Sequence, residues 1–410
     1  MNWSGSGESW GRDDVKPDWL RRAGKSAKCR QSVNAKILLA ALCLWISVGV
    51  AAAQSNVGEL SRDIPSIDEE LEKATADRSG NFVAVPIPFS NPALGTGLAA
   101  VAAYMFRLDS EDTEVPASFT WIGGLYSDTE SWGLGVAQKL YLKGDRIRIA
   151  FAVATAELNY KFYGIGNSAG DLGRSIALSQ SGDVVGAKFE YRVAGDYFVG
   201  FRLGAAEIET STELAILPPE FDSIPLVGDG RLEDLGLLLR RDTRDHVYTP
   251  GEGSLLELDL GFRRHEGRVA NEYRKVRFGY NRYLQLQKAI LAYRLYACYA
   301  GQGSPFYDLC AFGSNNDLRG YTAGRYQDRT EVATQVEYRR PLRGRWGFVA
   351  FGGVGTVAPS FSEMNADDLL PSVGAGVRFM ISEAQRVNLR VDVARGNDET
   401  TVHINVGEAF

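Results

Sequence analysis

The 410-residue chain has only three histidines and four cysteines, and none of them stands at metal-ligand spacing, so a metal centre has no ligand set. It also lacks a basic excess. The formal net charge is −6, which gives nucleic acid no electrostatic footprint. Beyond residue 54 no apolar run is long enough for a membrane helix, and a mean hydropathy of −0.17 argues against a helical membrane protein. No serine is spaced to work with His246 or His403, so a phospholipase or protease is not expected. His246 beside Asp245 reads better as part of a polar turn than as a general base. Gly352-Gly353-Val354-Gly355 has no helix after it and makes no phosphate cradle. Internal repeats and low-complexity tracts are missing too.

What is present begins with a leader. Lys25, Lys28, Arg30 and Lys36 precede an apolar run from Ile37 to Val50, and Ala51-Ala52-Ala53 before Gln54 has the small-residue form of a cleavage site. Residues 1–53 therefore read as a secretory signal peptide with a long front end, which suggests a start site assigned too early. Cys29 and Cys43 would leave with it. Residues 54–80 are polar, and Ser66 with Glu69 has the capping-box spacing for a short helix through Lys73.

From Asn81 onward the chain alternates with period two. Ile147, Ile149, Phe151 and Val153 oppose Arg146, Arg148 and small residues; Leu256, Leu258, Leu260 and Phe262 oppose Glu257, Asp259 and Gly261. Val387, Leu389, Val391 and Val393 oppose Asn388, Arg390 and Asp392. One face meets an apolar medium and the other a wet one. A soluble β-sandwich also alternates, but here the polar faces are charged and the breaks alternate between short turns (142–145, 193–195, 341–344) and longer loops (159–180, 209–231, 300–329). That is the pattern of a transmembrane β-barrel. The count is about sixteen antiparallel strands filling 81–410 as one domain.

Residues 314–329 are too polar and Gly-rich for a strand and read as a long loop between the eleventh and twelfth strands. Within it, Leu318-Arg319-Gly320-Tyr321 resembles the (V/L)RG(Y/F) signature of the BamA/TamA superfamily, the outer-membrane barrels also called bacterial surface antigens. Further segments resemble the family in the same order. They are Val85-Pro86-Ile87-Pro88-Phe89 with Leu94-Gly95-Thr96-Gly97, Phe162-Tyr163-Gly164-Ile165-Gly166-Asn167, Asp242-Thr243-Arg244-Asp245, and Glu337-Tyr338-Arg339-Arg340-Pro341. Val402, Ile404, Val406 and Phe410 resemble a C-terminal β-signal, the last strand read by assembly machinery.

The resemblance implies a bacterial outer-membrane barrel whose loop folds inward and sets Arg319 on Glu337, an inward position of the twelfth strand. It implies a role in outer-membrane biogenesis, inserting or translocating protein or lipid. A passive pore or a structural surface barrel with a plugged lumen is the alternative; an enzyme is not expected, nor a cofactor. Implied partners are outer-membrane lipid and lipopolysaccharide, the assembly machinery at the last strand, and an unidentified client. Two departures stand out. Residues 54–80 are too few for a polypeptide-transport-associated (POTRA) domain, and Gly353 stands where a second carboxylate for the arginine is usual. The anchor is then expected to be half as acidic and partly wet. Cys298, inward by alternation, and Cys310 at the loop base either form a disulfide or remain free thiols.

Overall fold

The computed structural model describes residues 81–410 except 92–93, 109–117, 215, 217, 219–220, 222–223, 247–248, 268–269, 314–316 and 383–386. The leader, the 54–80 segment and its Ser66–Glu69 turn lie outside the described residues.

Sixteen antiparallel strands close into a barrel. They are β1 (Asn81–Asn91), β2 (Gly95–Phe106), β3 (Ser118–Ser127), β4 (Trp132–Leu142), β5 (Ile147–Phe162), β6 (Ile176–Ala194), β7 (Tyr197–Ser211), β8 (Gly228–Asp242), β9 (Gly253–Glu266), β10 (Asn271–Gln285), β11 (Ile290–Ala300), β14 (Thr330–Pro341), β15 (Trp346–Ala358), β16 (Leu370–Ser382), β17 (Val387–Arg395) and β18 (Thr400–Val406). Between β11 and β14 a two-residue ladder, β12 (Cys310–Ala311) with β13 (Gln327–Asp328), forms a separate small sheet. Among the described residues an α-helix, α1 (Asn167–Leu172), sits between β5 and β6.

Alternation sets which side chains face outward. On β8, Leu235, Leu237 and Leu239 are 44%, 48% and 38% exposed while Asp234 between β7 and β9 is fully buried. On β17, Val393 is 48% exposed and Asp392 is not exposed at all. A strand with apolar residues out and charged residues in matches a lipid-facing exterior and a polar lumen.

The expected strand count and order agree with the structure, with two adjustments. β5 and β6 run to Phe162 and from Ile176, so the loop read as 159–180 shrinks to 163–175. Long strands carry both ladders onward, pairing Phe162 with Ile176. The loop read as wholly irregular contains β13, because Gln327 and Asp328 find Ala311 and Cys310 as partners.

The closure is uneven. β1 pairs β2 along its whole length, from Asn81↔Met105 to Asn91↔Gly95. Against β18 it has a single registered pair, Ser90↔Ile404. β18 is only seven residues long, and Pro86 and Pro88 remove two ladder donors from β1.

Candidate functional site

The described residues of 301–329 are held against inward-facing strand residues at three levels. At the start of this segment, the carboxylate of Asp308 accepts from Arg263 Nη1 of β9, from Tyr273 Oη at 2.6 Å and from Lys275 Nζ at 3.1 Å, both of β10. All four groups are buried. Next, Cys310 is disulfide-bonded to Cys298 on the inner face of β11, with Cα atoms 5.8 Å apart. The third level is the arginine motif itself.

Arg319 is fully buried. Its Nη1 donates to Asp392 Oδ2 of β17 at 2.6 Å, and its Nη2 donates to Glu337 Oε1 of β14. Nε and Nη2 share Gln335 Oε1 at 3.2 and 3.1 Å. The guanidinium carbon lies over the Phe351 ring, 3.5 Å from its centroid. A planar fork with several donors suits this set of three acceptors and a ring face; a lysine ammonium does not.

Backbone geometry brings it there. Gly320 has φ +112°, a conformation that L side chains rarely adopt, and its neighbour Ser372 Oγ donates to the Arg319 carbonyl. Leu318 and Tyr321 are fully buried, and Tyr321 Oη donates to the Pro371 carbonyl at 2.6 Å. Burial pushes that hydroxyl up to about 12. Tyr321 meets Tyr326 edge to face, with Phe312, Val357 and Leu370 around them.

Two expectations are corrected here. The anchor is not half as acidic: Asp392 supplies the second carboxylate from β17. Gly353 serves space instead, since a Cβ there would lie 2.8 Å from Leu318 Cδ1 and 2.6 Å from Gln335 Cγ. Nor is the pair partly wet, because Arg319 and Glu337 are both wholly buried.

The Phe162–Asn167 segment, singled out for its resemblance, caps the same loop. Gly166 N donates to the Gln327 carbonyl at 2.8 Å, Gln327 Nε2 to the Gly164 carbonyl at 3.1 Å, and Asn167 Nδ2 to the Val357 carbonyl at 2.8 Å. Arg325 reaches the Gly170 carbonyl at 2.9 Å, and Tyr326 Oη bonds Asp171 at 3.0 Å.

Other singled-out residues lie elsewhere. Asp242 binds Arg244 at 2.8 Å, and Asp245 accepts from the Gly251 and Glu252 amides at 2.8 and 3.0 Å, a turn at the end opposite the Arg319 loop. His246 Nδ1 accepts from the Thr249 amide at 3.2 Å within that turn. His403 is buried on β18 and contacts Thr401 Oγ1 at 2.9 Å.

Of the C-terminal set, Val402 is 45% exposed and Ile404 half-buried on the outer face; Val406 ends β18, and its side chain lies outside the described residues. Phe410, the last residue of the set, is not on the strand. It lies beyond β18 with its ring 5.3 Å from the Arg339 guanidinium and 6.0 Å from that of Arg294. Arg339 Nη2 donates to its main-chain oxygen at 2.8 Å.

Sequence reasoning placed Asp392 on an inward face but had no way to pair it with Arg319, 73 residues away. Asp308 carried no signal, because it belongs to no alternating strand.

Residues 227–410 match the Omp85 superfamily domain, a span that takes in β8 through β18 and the whole arginine site. Among solved structures, the barrel is similar to BamA from Haemophilus ducreyi lacking POTRA domains 1–3, with a TM-score of 0.55 at 14% identity, over 81% of this chain and 70% of that one. It is similar to CdiB from Escherichia coli (TM-score 0.53, 10% identity, 85% and 70% coverage). It is also similar to CdiB from Acinetobacter baumannii (0.52, 12%, 80% and 59%), so the chain spans less than two thirds of the length of that relative. At these identities the likeness is one of fold. No curated protein sequence matches the chain.

Proposed function

We propose that this chain, an Omp85 superfamily barrel, resides in a bacterial outer membrane and inserts or translocates a client protein or lipid through the β1–β18 seam. The observation that carries the reading is the uneven closure. β1 holds β2 along eleven residues and β18 through one registered pair. Each missing ladder bond removes about 0.5–1.5 kcal/mol of net stabilisation, so strain on the barrel opens this seam before any other. The edge so exposed is a row of unpaired backbone groups able to template another strand. A plug held by buried ion pairs keeps the lumen from becoming an open channel while the seam works.

The second reading is a passive or structural barrel, favoured by a cavity of ≈ 290 Å³ against β3–β8 that the plug leaves unfilled. A seam lock separates the two. Ser90→Cys with Ile404→Cys, placed at the registered pair, would cross-link β1 to β18. Loss of the gene should change the outer-membrane protein or lipid profile. The reduced double variant should restore the profile and the oxidised one should not. Full rescue by the locked barrel would leave the passive reading standing, and a soluble periplasmic location would end both.

A further inference from the structure

At the end of β18 the chain does not run on along β1. Gly407, with φ +88°, turns it into the lumen, and its amide donates to the Asn388 carbonyl at 2.7 Å. Ala409 is 2% exposed. Glu408 accepts from Arg378 Nε at 2.8 Å and Asn388 Nδ2 at 2.8 Å, and lies 3.8 Å from Arg339 Nε. Those two arginines are the other partners of the acids that hold the loop. Arg378 Nη1 donates to Asp392 at 2.5 Å and Arg339 Nε to Glu337 at 2.6 Å.

The contacts therefore close on themselves. Arg319, Asp392, Arg378, Glu408, Arg339 and Glu337 form a six-membered ring of alternating charge, and each side chain is at most 6% exposed. Three guanidinium groups face three carboxylates. Take Glu408 away and Arg339 keeps Glu337 and the Phe410 main-chain oxygen, while Arg378 is left with Asp392, which Arg319 already holds and which Arg390 approaches to 3.8 Å. An uncompensated buried cation is costly, and the way to relieve it is to admit water.

We infer that residues 407–410 are a latch: by closing this ring they tie the seat of Arg319 to the end of the last strand, so that loop and seam move as one coupled unit. The prolines of β1 explain why the latch lies inward at rest. Stepping the antiparallel register on from Ser90↔Ile404 puts Val406 opposite Pro88 and Glu408 opposite Pro86, neither of which has an amide hydrogen to give. A straightened tail loses ladder bonds on that side and the ring contacts as well. Anything that draws the tail out along the seam removes Glu408 from the ring and loosens Arg319. The coupling is a property of the barrel and does not depend on which client the seam serves.

Coupling free energy is reciprocal, and the test reads both ends. Hydrogen exchange of the folded, detergent-solubilised protein would be followed in peptides covering 317–329 and 400–410, with peptides from β5–β8 as internal reference. Glu408→Gln keeps the shape and removes the charge; the loop peptide should exchange at least tenfold faster. Arg319→Ala should speed the 400–410 peptide in the same way. Asn388→Ala removes only one Glu408 contact and should give a smaller rise in both, which keeps the idea testable if Glu408→Gln folds poorly. Wild-type exchange of 317–329 in Glu408→Gln or Asn388→Ala, or of 400–410 in Arg319→Ala, overturns the latch. So does a rise of equal size in the β5–β8 reference, which would mean general loosening.

Discussion

The lumen is filled by different means on its two sides. Toward β14–β18 the inner wall is arginine and carboxylate, and a loop is pinned to it by the charge ring, with Asp308 held on β9 and β10 beside it. Toward β3–β6 one stretch of the inner wall is small: Gly123, Gly135, Ala137, Ala150, Ala152 and Gly186 line a cavity of ≈ 290 Å³, which Trp121, Lys188 and Arg202 line as well. Buried charges demand particular partners at particular angles, since a missing partner costs several kcal/mol. The glycine and alanine stretch demands little beyond its two-residue period. One side therefore specifies a single arrangement of loop and strands, and the other only keeps the barrel round. The superfamily match covers the side that specifies and begins at β8.

The largest effect on that contrast should come from Arg319→Ala. It leaves Glu337 and Asp392 without their shared cation, and breaking a buried pair costs about 3–5 kcal/mol. New protease cleavage should arise within 317–329 while the barrel still migrates as a heat-modifiable band. Arg319→Lys should recover little, because one ammonium cannot serve Asp392, Gln335 and Glu337 together. Glu337→Ala and Asp392→Ala should each act in the same direction, and each combined with Arg319→Ala should be non-additive. Strictly additive cycles would show that the residues do not interact.

Next in size is the Cys298–Cys310 disulfide, which closes a short loop worth about 2–3 kcal/mol. Thiol labelling of unreduced, unfolded protein should leave both cysteines unmodified. Reduction should lower the urea midpoint of the folded band and speed cleavage at the loop base. Two reactive thiols before reduction would contradict the bond.

How much of this could be read from the chain follows the same division. Alternation made the barrel legible, because each strand carries its own inside and outside in consecutive residues. Sixteen strands and the place of the loop follow from that local signal. The motif marked Arg319, and strand phase pointed Glu337 inward. The rest depends on distance. Asp392 meets Arg319 only because the sheet runs from β14 through β15 and β16 to β17, Glu408 joins only through the turn at Gly407, and Asp308 sits in an irregular stretch with no phase. Gly353 was misread for a related reason. In sequence it is a missing acid, and only packing shows it as the space that Leu318 and Gln335 occupy.

That last point gives the finest test of the two sides. At Gly353 an added Cβ would lie 2.5 Å from the Thr334 carbonyl oxygen, 2.6 Å from Gln335 Cγ and 2.8 Å from Leu318 Cδ1. The first neighbour is backbone in the β14–β15 ladder, which pairs Thr334 with Val354 and Gln335 with Gly353, so it cannot move aside alone. Gln335 is held by its bonds to Arg319 and to the Asp317 carbonyl, and Leu318 precedes the arginine. Gly353→Val should therefore cost about 1–3 kcal/mol as overpacking, spent largely on lifting Leu318 and Arg319 from their seat. Ala152→Val faces the cavity and meets no plug. Its cost should stay within about 0.5 kcal/mol. Urea titration of the folded band, together with cleavage within 317–329, measures both variants on one scale. Equal losses in the two would mean that the small-residue wall is as closely fitted as the charged one, and the contrast between the two sides would fail.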